Sequence, residues 1–99
     1  MKIIDEKIEH IHEEIEGAKE YAEKYIKCKS KGNIEKANKY KEMAHDEIRH
    51  ANMLKDWAVA DIEDIKTVYT IPVEDMEKWE HHHKKFDEHI AIIKQMLMN

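Results

Sequence analysis

Two glycines and one proline are all that interrupt 99 residues, and only 7% of the chain is aromatic. So few turn formers exclude a sandwich or barrel of many short strands and leave one all-α domain, residues 1–99, built from long helices. The one cysteine, Cys28, excludes an intrachain disulfide. No run is apolar enough to span a bilayer, and the amino-terminal residues lack the apolar core of a secretion signal, so the expected compartment is a reducing cytoplasm with no membrane partner. Charge is abundant instead: 39% of residues carry one, 22 acidic against 17 basic, for a formal net charge of -5, and eight histidines are added. The basic side chains look scattered along the chain without forming one stripe, which argues against nucleic acid and favours cations as ligands.

Apolar residues first recur at Ile4, Ile8, Ile11, Ile15, Ala18, Ala22 and Tyr25, steps of three and four that mark one helical face. A first helix over about 3–30 follows. Gly32 suits a left-handed stop and Asn33 the N-cap of the next helix, so the connection is a short hairpin. In the second helix, about 34–68, Ala37, Ala44, Ala51 and Ala58 repeat every seven residues. Small side chains at one seam allow close backbone approach and predict that this is the inner element of a bundle. Its face continues through Ile62, Ile65 and Tyr69. A helix of about 50 Å outruns what a compact chain of this size covers, so its tail is expected to pack on a second copy. Pro72 starts a third helix, about 73–98, with the stripe Met76, Trp79, His83, Phe86, Ile90, Ile93 and Leu97.

Chemistry enters where polar residues fall among these rows. Glu47 occupies the heptad position held elsewhere by Tyr40 and Leu54, where a lone carboxylate is costly to bury. His50 lies one turn further along the same face, so carboxylate and imidazole can converge on one ion. In the first helix Glu14 sits at the margin of the apolar row. A Glu from one helix and Glu-x-x-His from its neighbour are half of a carboxylate-bridged dimetal site, and two chains supply four Glu and two His around two metals. Hard oxygen ligands with one imidazole per ion suit Fe or Mn better than structural Zn, with Mn or Zn as substitutes for a di-iron centre.

With the runs from Glu13 to Tyr21 and from Glu47 to Trp57 in place, the sequence resembles the ferritin-like superfamily, and most closely its half-sized members, the encapsulated ferritins. The likeness spans roughly residues 5–60. It implies an antiparallel helix hairpin plus a third helix, with the four-helix bundle completed by dimerisation, and dimers that associate further into a ring. It implies ferroxidase activity for iron storage or detoxification: oxidation of Fe(II) by dioxygen or peroxide, with Glu14, Glu47 and His50 as ligands from two chains. By the same resemblance Tyr21 is a tyrosine beside the centre, and Glu13 with Glu16 are carboxylates that attract iron on its way in. The third helix is longer and richer in histidine than in that family. No shell-targeting tail follows Met96-Leu97-Met98-Asn99, which weakens the expectation of an encapsulin shell as partner.

Plainer readings stand beside these. Glu14 alone reads as an exposed helix glutamate, Glu13, Glu16, Glu20 and Asp46 as a solvated acidic face, and Tyr21 and Tyr25 as core aromatics. Cys28 and the methionines read as packing. The rings of His81, His82 and His83 point in three directions, so they cannot act as one ligand set; His83 reads as a hydrogen-bonded core residue, with Glu80 and His83 as a second metal site in the alternative. For function, the alternatives to a ferroxidase are a non-catalytic helical-bundle interaction or structural protein, or a rubrerythrin-like peroxide reductase without its Cys-rich electron-transfer domain.

Overall fold

The computed structural model describes all 99 residues as three helices, α1 (Lys2–Ser30), α2 (Ile34–Lys66) and α3 (Val73–Met98). Each boundary has a local cause. Gly32 takes φ 79°, a left-handed conformation that its missing Cβ permits, and the Asn33 side chain then accepts from the Lys36 N–H to cap α2. The Asn33 and Gly32 N–H groups donate to the carbonyls of Cys28 and Lys29, which closes the last turn of α1. At the far end α2 stops two residues earlier than expected. Thr67 turns its hydroxyl onto the Asp64 carbonyl at 2.6 Å, and the Val68 and Tyr69 N–H groups both fold back on Ile65. Val68 and Tyr69 are therefore exposed, and Ile71 closes the core in place of Tyr69. Pro72, at φ -54° and ψ 142°, launches α3.

The helices run up, down and up. Lys78 meets Asp5 at 2.6 Å at one end, and the Tyr25 hydroxyl donates to the Asn99 carbonyl at 3.1 Å at the other, so α3 lies parallel to α1. The molecule is a rod of 55 × 18 × 17 Å. That shape corrects the argument from length: α1 and α3, of 29 and 26 residues, cover most of the 33-residue α2, and its far positions Ala58 and Ile62 are buried within one chain.

The packing also corrects which helix is innermost. Ala18 and Ala22 of α1 face the alanine seam of α2, and these short side chains let the two backbones approach closely. The α3 stripe of Trp79, Phe86, Ile90, Ile93 and Leu97 is bulky and packs on α1, whereas α2 and α3 scarcely meet beyond an ion pair of Lys55 with Asp87. The shared helix is α1. Its inward row is the predicted one, from Ile4 to Tyr25. One flank carries Asp5, His12 and Glu16 toward α3, and the other carries His10, Glu14, Gly17 and Tyr21 along the outer edge of the α1–α2 hairpin.

A further correction concerns charge. Seven lysines fall between residues 24 and 41 against one acid, Glu35, so the basic residues are concentrated, and the hairpin turn folds them onto one end of the rod. No helix is long and apolar enough to cross a membrane.

Candidate metal centre

Glu14, Glu47 and His50 converge halfway along the hairpin, their ligand atoms all within 4.8 Å of one another. The His50 Nδ1 lies 3.7 Å from Glu14 Oε2 and 3.8 Å from Glu47 Oε1. Three ligands held about 2.1 Å from one ion sit about 3.0–3.4 Å apart, so the two His50 contacts need to close by about 0.3–0.8 Å for the three side chains to share a cation. All three are half-buried: the alanine seam lies beneath them, and solvent lies above. Glu47 with Tyr40 and Leu54 forms the row that faces outward along the hairpin, one step round the helix from Ala44 and Ala51.

The two carboxylates are close enough to share a proton. A hydrogen bond with Glu14, then partial burial and the Glu14 charge, raise Glu47 from 4.5 to about 7, against a smaller opposing pull from His50. The pair therefore holds a proton through much of the acidic range, and a cation that binds there displaces it. Oxygen and nitrogen donors of this kind fit Fe(II), Mn(II) or Zn(II).

Room for the cluster comes from a residue to which the sequence reading gave no role. Gly17 lies one turn beyond Glu14, and a Cβ there would stand 3.0 Å from Glu47 Oε2. Glycine in a helix interior destabilises by about 0.5–1 kcal/mol relative to alanine, so its presence inside α1 was the available clue.

The other candidates distribute differently. Tyr21 lies on the same flank but two turns from Glu14, its ring stacked on Tyr40 at 6.2 Å with the Lys24 ammonium 5.8 Å above it; it donates no hydrogen bond to the cluster within the chain. Glu13 is exposed, and Glu16 faces the groove against His89 and Ile92 of α3, on the opposite flank from Glu14. The two do not form one path to the centre. Arg49 is engaged with Asp46 at 3.1 Å on the surface.

In α3, His83 is not the hydrogen-bonded core residue expected: it is half-buried and stacks flat on Trp79 at 5.1 Å. Glu80 is exposed, and no second group of three such ligands forms with His83. His82 packs beside Phe86, and burial, then the neighbouring charges of His81, Lys78 and His12, hold it below the ordinary imidazole value. Comparison with family models, with curated proteins and with solved structures finds no match, so the centre is read from its own geometry.

Proposed function

We propose that the chain is a ferroxidase whose di-iron centre is completed by a second copy, in a ferritin-like four-helix bundle made of two hairpins. The carrying observation is that three convergent ligands of the right chemistry lie on an open flank of the hairpin, where one chain supplies only half a coordination shell. The surface beside them supports a partner. Trp57 is 58% exposed, and with the half-buried Leu54 it borders a hollow on this same flank with Lys7 and Asp61. Large exposed aromatics of this kind are characteristic of association surfaces.

Two Fe(II) ions are the substrate: they give up one electron each, and with two protons reduce one dioxygen to hydrogen peroxide, or one peroxide to two waters. The chain's own residues hold and orient. Glu14 and Glu47 release their shared proton to accept the cations, His50 supplies the imidazole from one side, and Gly17 leaves the Glu47 carboxylate space to swing. Iron uptake therefore rises with pH up to about 7, where Glu47 loses its proton.

A second reading, a helical interaction module with no metal, draws on the shared proton itself, since Glu14, Glu47 and His50 can satisfy one another. Anaerobic Fe(II) titration separates the two. The ferroxidase reading expects one iron per chain, a dimer by light scattering, and rapid oxidation on admitting air. Glu47→Ala and His50→Ala abolish that oxidation and keep the fold, Trp57→Ala weakens the dimer, and His83→Gln leaves all three unchanged. An 11.9 kDa monomer that oxidises iron at the wild-type rate removes the shared centre.

A further inference from the structure

The lysine-rich end of the rod is independent of the metal centre. Where α1 turns into α2, a cavity of about 470 Å³ opens with Lys24, Lys27, Lys31 and Lys36 on its walls, together with Asn33 and Tyr40, and no carboxylate among them. A volume of this size is that of a small-molecule site. Four ammonium groups around one hollow repel one another, and none of the four takes part in an ion pair. Glu20 and Glu23, on the neighbouring surface they share with Lys24 and Lys27, stay beyond ion-pair distance. Two of them are instead propped by aromatic faces. Lys24 lies 5.6 Å and Lys36 6.0 Å from the Tyr40 ring, and Tyr40 in turn stacks on Tyr21.

The backbone adds to the same field. The amino-terminal end of α2, 33 residues long, begins at this cavity, and its first-turn N–H groups carry partial positive charge. The opposing carbonyls at the end of α1 are already taken, Cys28 by the Lys31 and Asn33 N–H groups and Lys29 by that of Gly32. Lysines at the end of α1 also complement its own dipole, but Lys24 lies before that last turn and Lys36 belongs to the start of α2, where a cation is unfavourable. Their placement makes sense when an anion neutralises them.

We infer that this cavity binds a small polyphosphate anion, two or three linked phosphates. A single phosphate group carries about 2 negative charges, too few for four ammoniums and a helix terminus, whereas a linked set supplies the charge and fits within the cavity. The site adds an anion-binding function at one end of a chain that is acidic overall, whether or not iron is bound.

The test is calorimetric titration of the full metal-free chain with inorganic triphosphate, and separately with orthophosphate, at about 50 mM and about 300 mM salt. One triphosphate per chain is expected, held more tightly than orthophosphate and weakened by salt. Lys24→Gln with Lys36→Gln weakens binding about tenfold or more, while Lys84→Gln with Lys85→Gln, the same charge removed from α3, changes it less than about twofold. All these lysines are exposed, so helical content by circular dichroism stays at the wild-type level in both variants. Equal weakening by both pairs, orthophosphate bound as tightly as triphosphate, or no saturable heat overturns the proposal. So does salt-sensitive self-association lost in Lys24→Gln with Lys36→Gln while triphosphate fails to bind, which assigns the cavity to acidic side chains of another copy.

Discussion

The two flanks of α1 are built from rows of the same helical spacing and end in opposite states. Toward α3 the flank is closed: Trp79 and Phe86 lie over α1, Lys78 pairs with Asp5 near the start, and Lys29 and Tyr25 both bond the Asn99 carbonyl at the finish. The hydrogen bond from Lys78 keeps Asp5 below the ordinary carboxylate range. Toward the outer edge of the hairpin the flank is open, and Glu14, Gly17, Glu47 and His50 occupy positions where the closed flank has bulk. One side of the helix builds stability and the other holds titratable groups at partial burial. An isolated hairpin could not afford both on one face, because burying an unpaired carboxylate costs more than the apolar contacts around it return.

Breaking the closed flank has the largest expected effect. Phe86 is 2% exposed, and truncation of such a residue to alanine costs about 3–5 kcal/mol, a fall in Tm of about 12 °C or more for a domain of this length. Phe86→Ala is therefore expected to lower the melting temperature by that amount while the chain, measured well below its Tm, binds Mn(II) with wild-type affinity. A loss of metal affinity with little change in Tm reverses the comparison.

The open flank responds with the opposite sign. Folded Glu47 holds its proton up to about 7, against an ordinary value of 4.5, so between those values the native state binds more protons than the unfolded chain. Its contribution is fully present below about 4.5 and is lost as pH rises through about 7. Glu47→Gln removes the repulsion with Glu14. Once solvent screening is allowed for, the metal-free variant is expected to gain about 1 kcal/mol at pH 8, roughly 4–8 °C in Tm, and the gain disappears near pH 4.5. Melting curves of both proteins across that range check it, and a gain that grows toward acid pH contradicts the shared proton.

What the sequence made legible divides along the same line. Gly32, Asn33 and Pro72 mark both turns because each has a conformational property that a helix interior rejects, and the rows from Ile4 to Tyr25 and from Trp79 to Leu97 show which faces turn inward. Glu14, Glu47 and His50 could be grouped because their spacing places them at one level on adjacent helices. Alanine periodicity reports close approach but not the partner, so α2 was expected innermost where α1 is shared. Glu13 and Glu16 are three apart, yet the position of α3 separates them onto different surroundings. The lysine cavity was missed because no single helix carries it: α1 and α2 each bring part, and only the turn unites them. His83 finds its partner in a ring, Trp79, that a search for hydrogen bonds does not consider.

The smallest expected effect is at Gly17, where the two flanks of the comparison meet within one substitution. Alanine there gains up to about 1 kcal/mol of helix propensity, since glycine loses more backbone entropy on folding. Against that, the new Cβ stands 3.0 Å from Glu47 Oε2, and the carboxylate must move aside by a few tenths of an ångström. The obstacle is the far end of a flexible side chain, so the displacement is cheap in the metal-free protein, and Gly17→Ala is expected to melt at the wild-type temperature or up to about 8 °C above it. With Mn(II) present the balance changes, because Glu47 is pushed away from the position it shares with Glu14 and His50. The rise in Tm on adding Mn(II) should be smaller in Gly17→Ala than in wild type, whereas Gly17→Ser, which adds the same Cβ with poorer helix propensity, should show the same blunted rise from a lower metal-free Tm. An undiminished rise in both variants means that Gly17 is no part of the metal centre.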